Sequence, residues 1–335
     1  EDLKIQEKFD YVIISDVISN VSNVQDVFSS LKSVVHNKTR LIISHRSVIW
    51  EPVFRLGQIL GLRIKPPYEN WLTINDIKNL LSLEDFEMIS FEKKLLFPKK
   101  IPLVNFIFNK ILANLPLINN LCLVTIIIAR STRFVKKDYS TSIIIPAKNE
   151  MGNIENAVKR IPDFGTSQEI IFVEGKSQDN TYEEMLRVQK KYNKSNISVL
   201  KQTGIGKGNA VRDGFEKASG DILMILDADL TVQPEELGKF YRALRDNKGD
   251  FINGCRLVYP LKKESMKFLN LMGNKFFSFV FSYLLAQDIK DTLCGTKVLY
   301  REDYEKIKIN RGYFGDFDPF GDFDLLFGSS KLSLK

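Results

Sequence analysis

The sequence predicts an α/β protein built as two domains. Three observations predict it. Apolar runs of strand length alternate with segments of helical apolar spacing, first up to residue 130 and again after residue 141. A polar, basic stretch without apolar period separates the two series. In the second series, the runs of strand length end in charged residues.

In the first series, "FDYVIIS" (9–15) reads as a buried strand, "VQDVFSSLKSVV" (24–35) as a helix and "TRLIISH" (39–45) as the next strand. "TINDIKNLLSL" (73–83) opens on a threonine cap and reads as a helix. "FEMISFEKKLLF" (86–97) and "LCLVTIIIAR" (121–130) read as an antiparallel pair that closes a sheet. The most apolar stretch, residues 101–130, is interrupted by Lys110, several asparagines and Pro116. It lacks the run of about 20 apolar residues that crossing a bilayer requires. It is expected to form a hydrophobic helix, a turn at "NLPLINN" and a buried strand. "STRFVKKDYSTS" (131–142) holds the linker, so the expected division is 1–132, a linker at 133–141, and 142–335.

In the second series, strands are expected at 142–147, 169–175, 197–202 and 221–229, with helices at 152–161, 180–192 and 208–218 between them. Strict alternation implies a mostly parallel sheet with helices on both faces. Ligands of such sheets bind at the carboxyl ends of the strands.

Composition bounds the function. The 335 residues are 44% hydrophobic and 27% charged, as in ordinary globular domains. The net charge of +7 favours anionic partners: phosphorylated substrates, nucleic acid or anionic lipid, although an ordinary basic surface has the same count. Cys122, Cys255 and Cys294 lie too far apart for a zinc motif, and there is no disulfide framework. With only His36 and His45, a histidine-based metal site or triad is not expected. There is no initiator methionine or signal peptide, and both ends read as cut from a longer protein.

The chemistry concentrates at "ILMILDADLTVQPEEL" (222–237), where a strand runs into Asp227 and Asp229. Two carboxylates one residue apart can face one cleft if the turn breaks the alternation. Leaving both ionised and unpaired is costly, and a divalent cation with hard oxygen ligands, Mg²⁺ or Mn²⁺, resolves it. Mg²⁺ shares its remaining positions with substrate phosphates, which suits a nucleoside diphosphate. The alternative is an acidic helix cap before "PEEL". "GIGKGNAVRDG" (204–214) is a basic, glycine-rich loop opening a helix; its amides and Lys207 can meet a phosphate. It is neither a Walker A loop nor a dinucleotide fingerprint. A merely solvated Lys207 is the alternative.

"SIIIPAKNE", "EIIFVEGKSQDNT", "GKGNAVRDGFEKASGDILMILDADL" and "DIKDTLCGTKVLYRED" follow one another as in family-two glycosyltransferases, and the stretch from residue 140 onward most resembles the dolichol- or polyprenyl-phosphate hexosyltransferase branch. The resemblance implies a nucleotide-diphospho-sugar transferase fold of the GT-A type. It implies that Pro146, Ala147, Asn149 and Glu150 hold the base and ribose, with Glu174 where relatives carry aspartate, and Asp179 in the same loop. Asp227 and Asp229 match the metal-binding pair, and Asp229 is expected to be catalytic. Arg256 and Lys267 match basic positions at the donor phosphates. Gly295 and Lys297 resemble the acceptor-side "DxxSGFR" segment that starts at Asp291, with Cys294 and Thr296 as departures. Asp324 resembles the acidic position of the "ELLYRA" helix. Asp291 and Asp324 are the candidate bases should the acceptor be a hydroxyl.

"MKFLNLMGNKFFSFVFSYLLAQ" (266–287) is aromatic-rich and flanked by Lys262, Lys263, Lys267 and Lys275. It reads either as a helix at a membrane interface or as a core helix on the sheet. The resemblance places it beside the acceptor site, and so favours the interface.

"EKFDYVIISDVISNVSNVQDVFSSLKSVVHNKTRLIISHRS" and the closing antiparallel pair resemble the second half of a class I methyltransferase that uses S-adenosylmethionine. Asp16 and Val17 keep the start of that family's "DVLEHV"; Ser19 and Asn20 depart from it. The cofactor-binding glycine loop would precede Glu1, so S-adenosylmethionine is not expected to bind here. A generic α/β accessory domain is the alternative.

The expected function is therefore metal-dependent, inverting transfer of a sugar from a nucleotide-diphosphate sugar to a lipid-phosphate acceptor. The expected location is cytoplasmic and peripheral to the inner face of the membrane. A bifunctional parent that also methylates, and a non-catalytic nucleotide- or nucleic-acid-binding scaffold, are the competing expectations. The interleaved aromatic and basic platforms of nucleic-acid binders are not evident.

Overall fold

The computed structural model describes residue 5 and residues 7–192, 196–255, 268–292, 294–314 and 323–335. The chain divides into two units, Glu1–Val135 and Lys136–Lys335.

In the first unit, strands β1 (Tyr11–Ser15), β2 (Arg40–Arg46), β3 (Phe86–Lys94) and β4 (Val124–Ser131) lie in the order β1-β2-β4-β3. β1 runs parallel to β2; the β2–β4 and β3–β4 pairs are antiparallel. Helix α1 (Val24–Leu31) buries Val24, Phe28 and Leu31, the spacing of one helical face. Helix α2 (Glu51–Ile59) was not read from the sequence: its apolar residues Val53, Leu56 and Ile59 stay exposed and follow no core-facing pattern. Helix α3 (Ile74–Leu83) starts at Thr73, whose hydroxyl accepts from the Asp76 amide while the Asp76 carboxylate accepts from the Thr73 amide. It seats Ile77 and Leu81 in a core with Phe28, Leu41, Ile43 and Ile127.

The single hydrophobic helix expected after residue 100 is instead broken into α4 (Pro102–Asn105), a π-helical turn over Phe106–Ile111 and short 3₁₀ turns. Asn109 lies in the widened turn, where its side chain bonds both the N–H and the C=O of Phe97. No helix among the described residues is long and apolar enough to cross a membrane.

The second unit holds six strands: β5 (Thr141–Ala147), β6 (Gln168–Glu174), β7 (Asn196–Lys201), β8 (Ile222–Ile225), β9 (Phe251–Asn253) and β10 (Lys297–Tyr300). Their order is β7-β6-β5-β8-β10-β9. β5 to β8 are mutually parallel, while β10 is antiparallel to both neighbours. The chain steps outward from β5 to β7 and then returns to β8 on the other side of β5. That reversal opens a crevice at the carboxyl ends of β5 and β8.

Both faces of the sheet are buried, so the parallel strands are apolar at successive positions. Ile143 and Ile145 face α5 (Ile154–Arg160), α6 (Thr181–Lys191) and α8 (Leu237–Arg245). Ile144 faces α7 (Lys207–Lys217), α10 (Arg301–Ile309) and α12 (Phe323–Lys331). α9 (Phe268–Leu285) and the short α11 (Arg311–Phe314) complete the unit. A Cβ on Gly214 would come within 2.6 Å of Ile144 Cγ2, so a glycine lets α7 lie directly on β5. This contact aims the first residue of α7, Lys207, at the crevice.

α5 and α6 are clamped by Glu155. Lys191, at 2.5 Å, with Arg187 and Tyr192, holds its carboxyl down to about 2. The clamp therefore stabilises the fold above the unfolded value of 4.5 and is lost as pH falls toward about 2. Denaturant midpoints measured across that window should fall less steeply for Glu155→Gln than for the wild type.

Candidate active site

A cavity of about 470 Å³ occupies the crevice. Pro146, Ala147, Lys148 and Glu150 line it from the end of β5, Gly175 and Lys176 from the end of β6, and Gln202 from the end of β7. Ile205, Gly206, Lys207 and Ala210 come from the glycine-rich loop and α7; Asp227, Ala228 and Asp229 follow β8.

The two aspartates share the cavity without any break in the alternation, contrary to expectation. β8 stops at Ile225, short of the predicted end, yet Leu226, Ala228 and Leu230 remain buried while Asp227 and Asp229 do not. The period of two simply runs on past the last ladder bond, with Leu226 N–H still donating to Ile144 O at 3.0 Å. The chain then turns, Leu230 N–H donating to Asp227 O at 3.0 Å with Leu230 at φ +52°. The helix-cap alternative fails. Asp229 accepts from the Thr231 amide at 2.9 Å, and the following 3₁₀ turn at Pro234–Glu236 is capped by Gln233 without any side-chain bond.

Lys207 Nζ lies 2.6 Å from Asp227 Oδ1. That oxygen is buried and receives no well-directed hydrogen bond among the described residues. The distance is short but the angle is poor, so the contact is an ion pair rather than a directed hydrogen bond. Gly295 closes over the pair: a Cβ there would overlap both Asp227 Oδ2 and Lys207 Nζ and lie 2.7 Å from Asp227 Cγ. The structure thus brings an acceptor-side residue of the sequence reading into contact with the donor-side pair.

A divalent cation suits this donor set. Two carboxylates supply hard oxygens on one wall, one of them an inadequately bonded buried oxygen. Among the described residues no group of three histidine, cysteine, aspartate or glutamate side chains forms a complete cage. Asp227 and Asp229 would hold the ion with substrate oxygens.

Of the remaining sequence candidates, Pro146, Ala147 and Glu150 line the cavity and three others build its wall. Asn149, at φ +58°, accepts from the Gln178 amide at 2.7 Å and donates its own amide to Ser177 Oγ at 3.1 Å. Glu174 is buried and accepts from the Ser177 amide at 2.5 Å. Asp179, just before the Asn180 cap of α6, accepts from the Thr181 amide and hydroxyl and from the Met151 amide at 3.4 Å; the Thr181 bonds hold its carboxyl below the ordinary range. Asn149 and Asp179 tie the β5 and β6 loops together, and Glu174 folds the β6 loop onto itself.

The structure does not bring the two candidate bases into this cavity. Asp291 is fully buried and accepts from Asn274 Nδ2 of α9 at 2.8 Å. Asp324 accepts from Arg311 Nε at 3.3 Å and lies 3.8 Å from Arg212. Lys297 is 1% exposed and donates to Cys294 O at 2.7 Å, so its ammonium belongs to the interior beside Gly295. Arg256 and Lys267 lie outside the described residues. The sequence reading missed Lys148, Gly175, Lys176, Gln202 and Ala210 as lining residues. Lys148 and Lys176 were findable: each follows a strand end within two residues.

The fold and cavity define a mostly parallel α/β domain with charged groups gathered at its topological switch point. Residues 142–308 match the family described as glycosyl transferase family 2, and the chain carries a domain of that family. It is 34% identical over 173 residues to a dolichol-phosphate mannosyltransferase of Pyrococcus furiosus, covering 50% of this chain and 48% of that protein. It is 28% identical over 138 residues to an undecaprenyl-phosphate 4-deoxy-4-formamido-L-arabinose transferase of Salmonella paratyphi B, covering 39% and 42%. The chain thus spans about half the length of the curated relatives it matches. Among solved structures, a mannosyltransferase from Pyrobaculum calidifontis in complex with GDP-Man and Mn²⁺ is 19% identical, with a TM-score of 0.41 over 58% of this chain and 52% of that one.

Proposed function

We propose that the second unit transfers a sugar, with inversion, from a nucleotide-diphosphate sugar to a polyprenyl phosphate, using Mg²⁺ or Mn²⁺. The observation that carries this reading is the convergence of Asp227, Asp229 and Lys207 on one cavity at the switch point of a family-two domain. A bound cation would supply Lewis-acid neutralisation of the leaving diphosphate. Asp227 and Asp229 would seat that cation, and Lys207 would add positive charge beside the departing phosphates. Pro146, Ala147 and Glu150 would contact the nucleotide, on a loop made rigid by Asn149, Glu174 and Asp179. A phosphate acceptor is already anionic and needs no base, which agrees with Asp291 and Asp324 being engaged elsewhere. The test is transfer of radiolabelled sugar from GDP- and UDP-sugars to polyprenyl phosphate. Absence of lipid-linked product with every donor would defeat the reading.

The lipid acceptor draws support from α9, whose polarity is reversed. Asn274 and Ser278 are buried, and Ser278 and Ser282 bond the backbone carbonyls of Lys290 and Ile289 at 3.1 and 3.2 Å. Phe276, Phe279 and Leu284 point outward, Phe279 being 73% exposed. Polar residues spaced four apart face the protein, and Phe276, Phe277 and Phe279 face away while Phe281 packs on Phe323 and Phe327, as suits a helix with one face on a bilayer. We therefore place the protein at the membrane periphery. Phe276→Ser with Phe279→Ser should weaken sedimentation with anionic vesicles by about tenfold per side chain, given 1.5–3 kcal/mol per buried aromatic. Unchanged sedimentation would remove this placement.

For the first unit, the reading is the closing half of a methyltransferase-like sheet. Its strand order, parallel pair and terminal antiparallel hairpin support this, as does an edge strand β1 that exposes Tyr11 and Ile13.

A further inference from the structure

We propose that Lys207 is a resident counter-ion for Asp227, which has to leave before the divalent cation enters, so that cation and donor diphosphate bind as one coupled event. This rests on Asp227 and Asp229 being the cation seat.

Three observations carry it. The ammonium of Lys207 stands 2.6 Å from Asp227 Oδ1, on the oxygen a cation would take. That oxygen is buried with no well-directed hydrogen bond among the described residues, so the ammonium neutralises the carboxylate at the oxygen that solvent does not reach, although the side chain as a whole is 25% exposed. Gly295 then confines the pair, because even one added carbon would overlap both charged groups. A metal held by the same carboxylate would bring a second positive charge close to the ammonium. Two cations on one oxygen repel strongly, so binding is an exchange.

Lysine suits an exchange. It is a point charge on a flexible stem, whereas arginine is a rigid fork. Lys207 is the first residue of an eleven-residue helix, follows Gly206 at φ +88°, and its side chain is 32% exposed toward the cavity. A diphosphate in the cavity would meet the helix N-terminus and receive the displaced ammonium. Metal alone has to displace the lysine from Asp227; metal with diphosphate adds an anionic partner for it in the cavity. By linkage the two ligands then strengthen each other equally.

The experiment measures Mn²⁺ binding by the electron paramagnetic resonance of free Mn²⁺, without nucleotide and with GDP or UDP. The proteins are wild type, Lys207→Met, Lys207→Arg and Asp227→Asn. Without nucleotide, Lys207→Met should bind Mn²⁺ about tenfold more tightly than wild type, within the 5–150-fold range of coupled sites. The factor by which nucleotide strengthens Mn²⁺ binding should shrink correspondingly. Lys207→Arg, which keeps the charge, should not gain metal affinity. If Lys207→Met gains nothing while Asp227→Asn loses Mn²⁺, the counter-ion role is wrong and the cation seat stands. If Asp227→Asn binds Mn²⁺ with nucleotide as the wild type does, the cation seat itself falls.

Discussion

Asp229→Ala is expected to lower sugar transfer by about 10²–10³-fold, the loss typical of removing one preorganised group that stabilises transition-state charge. The argument is one of location and of timing. Asp229 lines the cavity beside Asp227, and among the described residues its carboxylate is committed only to the Thr231 amide at 2.9 Å. One of its oxygens is therefore accounted for within the turn, and the other is available to a ligand. The charge it would help neutralise grows as the diphosphate departs, so the defect should fall mainly on kcat. The fold should survive, because the side chain is exposed and only one bond of roughly 1 kcal/mol is lost. Initial rates at saturating donor, with circular dichroism as the check on folding, measure this. Wild-type rates would show that Asp229 takes no part.

Gly295→Ala should be nearly as damaging, and for a different reason. The added methyl has nowhere to go: it would overlap the Asp227 carboxylate and the Lys207 ammonium at once. The ammonium is the end of a flexible chain and can retreat. The carboxylate cannot do so cheaply, since Asp227 is held in the turn by its carbonyl bond from Leu230. Nor does the glycine's own segment yield easily, with Asp291 and Thr292 bonded to Asn274, and Lys297 to Cys294 O. Overpacking of this kind costs about 1–3 kcal/mol. Expressed as misplacement of the cation seat, that is about five- to 150-fold in transfer rate. The measurement is kcat with the Mn²⁺ concentration dependence of transfer. A Gly295→Ala protein with wild-type rate and metal dependence would mean that Gly295 does not bear on Asp227 during turnover.

Much of the fold was legible because it is local. Ile143, Ile144 and Ile145 announce a strand buried on both faces, and Thr73 with Asp76 announces a helix start. Asp227 and Asp229 were legible as a pair because an apolar run gives way there to two carboxylates one residue apart, with Leu226, Ala228 and Leu230 alternating around them. Other features were hidden. Lys297 reads as an acceptor-side residue, yet its ammonium is inside; Asp291 reads as a base, yet it anchors α9. Asp291 depends on Asn274, which α9 brings in from seventeen residues away, and Lys297 on a local turn that points its ammonium back at Cys294 O. The reversed polarity of α9 was also concealed, since an aromatic-rich helix with two serines looks alike whichever face is turned inward.

The sequence alone determined the alternation of strands and helices and the order in which charged residues follow strand ends. These rest on periodicity and on neighbours along the chain. Only the tertiary structure decided that β8 returns to the far side of β5. That step opens the cleft, sets Lys207 on Asp227 and lowers Gly295 over both. Those contacts join residues 207, 227 and 295, and side-chain chemistry at such separations acts only once the sheet has brought them together.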